Sequence, residues 1–477
     1  MGRDVLLLYM SPKNANYKTQ TNEGAVRYLI KEKETPDCIL ALCSETVRKK
    51  AMVEMPDGST CTTLEYFRDA LRRVGIPAER LVVIEVPDSM DDEKKQFQAI
   101  SQLLEKINEG DTLSIDLSGG MRDTAMLLVT AARCMRDLRG VQTRRVIYAE
   151  LRGEEPVAHD RTQLYDLFDF VTAMDAFFST GTAQKLKSYL WSEGEKDPVL
   201  HTLLTRINQF SEDLALCRVQ KLNDDLNQIA QALKETPKKS QNLTDLFFRL
   251  LKDRFNTEFA ELLSSGEKAL PALVSWCADH GMYQQALTLL CEQMPEYVCQ
   301  HIFVQPTERG WEYLAAQMQN RGKPWVYPLF HFHFCRLTLL QKEYPYTTDL
   351  RLTLSRDDAE GNMLFGVAND AEMHDYLDMA LASDQLVIDP AIRPQLERAA
   401  LLYQRVMQYR NQINHASAND LGLQSERVLP LDTESIKDTL REIAAYLHEI
   451  RPLKRNVPQG IKAIPVDAAI PAGTPTR

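Results

Sequence analysis

The stretch Ile115-Asp116-Leu117-Ser118-Gly119-Gly120-Met121-Arg122-Asp123-Thr124 decides the fold. A branched apolar run, Thr112–Leu117, stops at two glycines, and an apolar helical pattern, Ala125 through Cys134, follows directly. A buried strand that feeds a helix through so short a turn is half of a strand–helix crossover unit. Outward from this point, similar runs recur at Val5–Tyr9, Cys38–Cys43, Leu81–Val86 and Arg145–Leu151, each bounded by polar or turn residues. Between them, apolar residues fall at helical spacing, as in Leu64, Phe67, Leu71 and Val74, then Phe97, Ile100, Leu103, Leu104 and Ile107. The alternation predicts an α/β domain with a Rossmann-like, mostly parallel sheet, right-handed crossovers and helices on both faces. Ligands of such sheets bind beyond the C-terminal ends of the strands.

The chemistry of the loop after the fourth strand suits a phosphate. Gly119 and Gly120 let a ligand approach the backbone, the helix N-terminus offers unpaired N–H groups, and Ser118 and Arg122 add a hydroxyl and a cation. No Gly-Lys-Ser/Thr follows at P-loop spacing and no Gly-x-Gly-x-x-Gly is present, so neither ATP hydrolysis nor a dinucleotide fingerprint is indicated. The structural alternative is that the two glycines only make a tight turn. Two other strand ends reach the same edge: Met10-Ser11-Pro12-Lys13-Asn14 and Ser44-Glu45-Thr46. Their small polar residues either line a shallow site or serve as turns.

Beyond about Leu164 strand signals stop and helical periodicity takes over, through His201–Cys217, Val219–Leu233 and Leu243–Leu263. Phe168, Phe170, Phe177 and Phe178 fall at spacings that predict a buried helix face. Lys234 to Leu243 reads as an interhelical loop, with Asn242 or Thr244 as helix caps. Helical patterning resumes at Ala269–His280 and Tyr283–Cys291, breaks at Pro295, and returns around Phe330–Leu340, Glu372–Leu381, Ile392–Ile413 and Ser435–Ile450. A second, all-helical domain is expected. The final segment, rich in Pro, Gly and Ala, reads as a flexible tail.

In the last of these regions stands Arg410-Asn411-Gln412-Ile413-Asn414-His415. Cleaving RNA without a metal requires the 2′-hydroxyl to attack the adjacent phosphorus, a proton to be moved, and charge on the phosphoryl oxygens to be stabilised. Histidine moves protons near neutral pH, a guanidinium holds two phosphate oxygens, and a neighbouring amide orients them. Positions five apart lie roughly 140° from each other around an ideal helix. Arg410 and His415 therefore converge only where the helix loosens near His415, or across a two-fold dimer axis. Two other arginines precede a histidine at similar spacing, Arg152 before His159 and Arg441 before His448. The first pair lies in an acidic stretch expected to be a loop; the second lacks the amide. The structural alternative for Arg410 and His415 is a salt-bridged arginine and a helix-terminal histidine. His331 and His333, two apart in an apolar run, read as packing residues.

With 477 residues the chain exceeds the roughly 250–300 that a single core sustains, so several domains are expected. No apolar run reaches the ~20 residues of a membrane helix, and the N-terminus lacks a signal-peptide pattern, so a cytoplasmic protein is expected. The nine cysteines contain no Cys-x-x-Cys pair, which argues against a zinc site or a disulfide framework. A net charge of −11 means that nucleic acid would have to meet a local basic patch, and stable DNA binding is not expected.

Taken together, the order of parts resembles the CRISPR-associated ribonucleases of type III systems, in which an N-terminal CARF domain is joined through helices to a C-terminal HEPN domain. The residues that carry the resemblance are Asp116-Leu-Ser-Gly-Gly-Met-Arg-Asp123, Arg410-Asn-x-x-x-His415, and Gln284-Gln-Ala-Leu-Thr-Leu-Leu-Cys-Glu-Gln-Met-Pro-Glu-Tyr297, which is similar to an early HEPN helix. The resemblance implies a CARF sensor over 1–160, a helical connector over 161–267, a HEPN domain over 268–456 and a tail over 457–477. It also implies a homodimer in which Ser11, Pro12, Ser44, Ser118, Gly119, Gly120, Met121, Arg122 and Asp123 bind cyclic tetra- or hexa-adenylate as an allosteric activator. Two-fold symmetry of such a ring matches a two-fold dimer. Arg410, Asn411 and His415 would then cut single-stranded RNA without a divalent metal, leaving 2′,3′-cyclic phosphate ends, in antiviral defence. The alternatives are a ligand-binding regulator whose helical domain only dimerises, and a ring nuclease that degrades its own activator.

Overall fold

The computed structural model describes residues 2–309 and 374–461, apart from 55–57, 90–91, 121, 153–154, 193–196, 236–242, 265–268, 375–376, 379–380, 383, 385, 415–428 and 454–455. The chain divides into two compact units, Met1–Asp169 and Phe170–Arg477.

The first unit contains strands β1 (Asp4–Tyr9), β2 (Cys38–Ser44), β3 (Met52–Glu54), β4 (Thr60–Thr62), β5 (Leu81–Val86), β6 (Thr112–Asp116), β7 (Gln142–Arg152) and β8 (Glu155–Asp160). Among them run helices α1 (Glu23–Lys31), α2 (Thr63–Arg73), α3 (Glu93–Lys106) and α4 (Arg122–Arg139). All five strands expected from the apolar runs are present. Six strands form one sheet in the order β5-β2-β1-β6-β7-β8. Every neighbouring pair in it is parallel except β7 with β8. Counted in chain order, this is the doubly wound arrangement, whose direction of winding reverses between β1 and β6.

Burial on both faces explains the unbroken apolar runs. Val5, Leu7, Tyr9, Leu40, Leu42, Leu113 and Ile115 pack against residues of α3 and α4, including Leu103, Leu128 and Ala131. Alternating with them, Leu6, Leu8, Ile39, Ala41 and Cys43 pack against α1 and α2 through Val26, Leu29, Phe67 and Leu71. Side chains of a strand alternate between its two faces, so each apolar run supplies two cores.

One edge departs from expectation. The acidic stretch around Arg152 and His159 is no loop, because β8 folds back antiparallel along β7. Pro156 is tolerated there because an outermost strand has N–H positions that the ladder does not use. Arg145 fastens this edge, with Asp160 at 2.9 Å and Glu34 at 2.9 Å.

The division between the units falls within α5 (Thr162–Thr180). The second unit continues with α6 (Gln184–Ser192), α7 (Pro198–Ala215), α8 (Val219–Ala232), α9 (Leu243–Glu258), α10 (Ala260–Ser264), α11 (Leu270–Asp279), α12 (Tyr283–His301), α13 (Arg393–Asn414) and α14 (Thr433–Ile450). Phe170, Phe177 and Phe178 are buried, Phe170 stacking on Phe247 with ring centroids 3.8 Å apart. Phe168 is not on that face: it is 55% exposed, with the Arg133 guanidinium over its ring. Two positions along a helix are about 200° of rotation, so Phe168 and Phe170 cannot share a side. Thr244 lies buried inside α9 rather than capping it, and Asn242 is outside the described residues. The expected all-helical character also has an exception, a short antiparallel pair β9 (Val304–Pro306) and β10 (Leu386–Ile388). The patterns around 330–340, with His331 and His333, lie outside the described residues, as does most of 372–381. Among the described residues no helix is long and apolar enough to cross a membrane.

Pro295 does not end its helix, contrary to the sequence reading: α12 runs through it to His301. Proline has no N–H to give the carbonyl four residues earlier, which is that of Cys291. That carbonyl accepts instead from the buried Tyr403 hydroxyl on α13, at 3.1 Å. The lost helical bond thus becomes a joint between two helices. Leu396, Ala399, Leu402, Tyr403, Val406 and Tyr409 form the buried stripe of α13, which packs against α12 and α14. Tyr403→Phe should therefore destabilise the second unit by about 1–3 kcal/mol, the cost of an orphaned buried carbonyl. Urea denaturation followed by tryptophan fluorescence reads that unit, since all four tryptophans (191, 276, 311 and 325) belong to it. In a Pro295→Ala background, where an N–H is restored, the same substitution should cost clearly less; equal costs would contradict the joint.

Candidate functional site

The chain reversal of the sheet places the ends of β1 and β6 side by side, with Leu8 paired to Asp116. A crevice at such a point is where doubly wound sheets take ligands. Ser11, Pro12, Ser118, Gly119, Gly120 and the start of α4 all lie here.

The floor of the crevice is a buried polar cluster. The fully buried Asp116 carboxylate accepts from Ser118 N–H at 2.9 Å, from the Ser118 hydroxyl, and from Asn22 Nδ2 at 2.7 Å. Asn22 Nδ2 also donates to the Tyr9 carbonyl at 3.1 Å, while its Oδ1 accepts from Ser11 N–H at 3.1 Å and from Gln20 Nε2 at 2.5 Å. Gln20 Nε2 in turn reaches the Ser11 carbonyl at 2.8 Å. Asn22 and Gln20 are both fully buried. One amide thus binds the ends of β1 and β6 to the start of α1. Burial pushes the Asp116 carboxyl up to about 6, against the lowering effect of its Ser118 and Asn22 donors.

Both glycines are required by close approach. A Cβ on Gly119 would stand 1.7 Å from the Tyr9 carbonyl oxygen, and Gly120 has φ +81° with Thr124 Oγ1 2.3 Å from where its Cβ would be. Gly120 N–H donates to Ser11 Oγ at 3.0 Å, so the first and fourth loops meet directly. Ser118 Oγ accepts from Ala149 N–H at 2.6 Å, which fastens the turn to β7. The serines therefore shape the crevice, which lies beside the first turn of α4, the end of a helix whose N–H groups have no intrahelical acceptors. Arg122 opens α4 and Asp123 is exposed beside it; the Arg122 side chain and all of Met121 lie outside the described residues. Pro12 is exposed at the rim.

Ser44 is buried at the end of β2, within hydrogen-bonding reach of the Tyr9 phenol and the Asp88 carboxylate. Burial, with Asp88 and Asp123 nearby, pushes the Tyr9 phenol up. Asp88 accepts from Thr46 N–H at 2.6 Å and pairs with Lys50 at 3.0 Å, which together hold it well below the usual carboxylate range. Asn22, Gln20, Tyr9 and Asp88 were not singled out from sequence. Their type carried no signal there: each is a common turn or strand residue, and only the strand order brings them together.

In the second unit, Arg410 and Asn411 stand half-buried in the last turns of α13, and Arg410 Nη1 lies 3.4 Å from Asn411 Oδ1. The described part of the helix runs to Asn414, which receives Gln284 Nε2 of α12 at 3.4 Å; His415, next in the chain, lies outside the described residues. Four arginines lie along α13. Arg393 pairs with Asp378 and Glu397, Arg398 with Glu449, and Arg405 with Glu442. Arg410 has no carboxylate partner among the described residues, and its Nε is buried without a hydrogen bond. The competing arginine–histidine pairs are both occupied. Arg152 and His159 both contact Glu150, at 2.7 and 2.9 Å, while Arg441 pairs with Asp279 at 2.8 Å and His448 with Glu261 at 3.2 Å.

The Asp116 site makes a prediction about pH. A carboxyl that holds its proton more tightly in the folded chain is a cost above its folded value, relieved as the pH falls from about 6 toward its unfolded range. Compared with Asp116→Asn, the wild type should gain up to ~3 kcal/mol of stability in the first unit between pH 7 and pH 4. Hydrogen exchange of the β1 and β6 amides, corrected for intrinsic rates, measures it; a flat or opposite trend contradicts the assignment. No protein-family model matches this chain, and no curated protein matches it.

Proposed function

We propose that the chain is an endoribonuclease whose cutting residues are Arg410, Asn411 and His415, switched by a nucleotide bound at the crevice between β1 and β6. Arg410 carries the proposal. It is the one arginine of α13 that no carboxylate neutralises among the described residues, and it keeps an amide immediately beside it. A half-buried guanidinium without a counter-ion is costly unless an anion visits it. A phosphodiester is such an anion.

In the proposed reaction the 2′-hydroxyl attacks the adjacent phosphorus, the bond to the 5′-oxygen breaks, and a 2′,3′-cyclic phosphate remains. Arg410 stabilises the charge on the phosphoryl oxygens, Asn411 orients the nucleotide, and His415 transfers a proton. The three residues need no divalent metal for this chemistry. Asn411 follows Arg410 by only 100° of helical rotation, so both can address one phosphate from a single helix end. Two copies of the chain, related by a two-fold axis, would pair two such ends into one groove.

The proposed switch ligand is a cyclic oligoadenylate of four or six units, acting in type III CRISPR defence. Support for the anion site comes from the α4 N-terminus beside Gly119 and Gly120, the same combination of backbone donors and close approach that phosphate sites use. Coupling requires the ligand to favour one arrangement of the nuclease ends over another.

The test is cleavage of labelled single-stranded RNA in EDTA, with and without cyclic tetra- or hexa-adenylate. Wild type should cut only when one of the rings is present, and His415→Ala or Arg410→Ala should lose on the order of 10²–10⁴ in rate. Absence of ligand-stimulated cleavage, or cutting at the wild-type rate by either variant, overturns the proposal.

A further inference from the structure

The last turn of α13 holds an amide that the proposed reaction does not use. Asn414 lies four residues beyond Arg410 and three beyond Asn411, so around the helix axis it falls between them, and all three share one side of the helix end. Opposite it stands Gln284, in the first turn of α12, whose Nε2 donates to Asn414 Oδ1 at 3.4 Å. We propose that Gln284 and Asn414 together read the base beside the scissile phosphate and that they select adenine. The proposal rests on the ribonuclease reading above and names the feature of the RNA that the same site selects.

Helix packing sets the two amides against each other. Two turns along α12 from Gln284, Cys291 Sγ meets Met407 Sδ at 3.5 Å, and Met407 is two turns back along α13 from Asn414. One turn further back, the Tyr403 hydroxyl donates to the Cys291 carbonyl. The helices are therefore antiparallel, and their buried register brings Gln284 opposite Asn414. Both residues are exposed, at the place where that packed interface reaches solvent. Side chains held in this way lose less freedom when a ligand joins them.

One hydrogen bond between two amides leaves a donor and an acceptor beside it. Asn414 Oδ1 faces Gln284, so its Nδ2 is free to donate; Gln284 offers Nε2 to Asn414, so its Oε1 is free to accept. Neither residue has another partner among the described residues. Amide side chains meet adenine with these two functions, accepting from the 6-amino group and donating to a neighbouring ring nitrogen, whereas guanine is characteristically taken by arginine or lysine. Arg410, the nearby arginine, is assigned to the phosphate. Bases of single-stranded RNA are unstacked readily and expose these edges. With Cβ atoms about 5–6 Å apart, Arg410 and Asn414 can address the phosphate and the base of one nucleotide.

Mapping the cuts in a labelled single-stranded RNA that contains all sixteen dinucleotide steps tests the selection. The full-length protein is used in EDTA with the adenylate ring that activates it. Wild type should cut steps with adenine on one side of the scissile phosphate about 5- to 100-fold faster than the same steps with another base there. Gln284→Ala and Asn414→Ala should each lose part of that ratio, and the double variant should cut all steps at similar rates. An unchanged midpoint of urea denaturation, followed by tryptophan fluorescence, shows that the variants are folded. A purely structural role would lower every rate in proportion and keep the ratio. That result, or a wild type that prefers another base or none, overturns the selection and leaves the ribonuclease reading standing. A wild type that cuts no step overturns the ribonuclease reading, and the selection falls with it.

Discussion

The carboxylate of Asp116 is the constraint on which the first unit depends. It sits at the end of a central strand, cut off from water, and three donors from Ser118 and Asn22 converge on it. A buried carboxylate is tolerable only with such company, so the donors have to be held in place. Asn22 is held by Gln20, Ser11 and the Tyr9 carbonyl; Ser118 is held by Ala149. The result is that β1, β6, β7 and the start of α1 share one hydrogen-bonded point. That point is also where the winding of the sheet reverses. The crevice is therefore braced before any ligand arrives, and a ligand would meet a surface that has little freedom left to lose.

A different solution to an unsatisfied group organises the second unit. Pro295 removes a helical donor from the Cys291 carbonyl, and Tyr403 fills the position from the neighbouring helix. Tyr403 belongs to the same buried stripe as Val406 and Tyr409, which leads directly to Arg410. The stripe leaves Arg410 and Asn411 on the half-buried margin of the helix. Other long side chains on that helix find carboxylates, through Glu442 and Glu449 of α14 and Glu397 of α13 itself. Arg410 lies past the end of that ladder.

How much of this was legible beforehand depends on the range of the interaction. Apolar alternation and run length are local, and they located all five parallel strands and most helices of the described chain. The strand order follows from the crossovers, so the neighbourhood of Ser11 and Gly120 could be expected but not its bonding. Asn22 illustrates the limit. Its side chain makes four hydrogen bonds at the crevice, yet its neighbours in the chain, Thr21 and Glu23, give no hint of Asp116, which lies 94 residues away. Pro295 shows the opposite failure. Its local preference is to end a helix, and a tertiary partner more than a hundred residues on supplied what it lacked. Phe168 departs from the expected buried face for a simpler reason: it and Phe170 are two apart, and the helical period sets them nearly opposite.

Charge adds a last constraint on recognition. The chain carries a net charge of −11, and the described groups around the strand edge include Glu45, Glu85, Asp88 and Asp123. Long-range attraction therefore cannot bring a polyphosphate to this edge; near −11 the field works against it. Two of these carboxylates are neutralised internally, Glu85 by Arg48 and Asp88 by Lys50. Around them the strand edge also presents Lys95 and the amides of Gln98 and Gln102. Recognition by such groups is directional and short-ranged, so it discriminates by hydrogen-bond pattern more than by charge. On the proposed nucleotide reading, such an edge selects by the pattern of its donors and acceptors rather than by charge. For a protein proposed to bind one oligonucleotide as a signal and to cut another as substrate, selection by pattern rather than charge would help to keep the two apart.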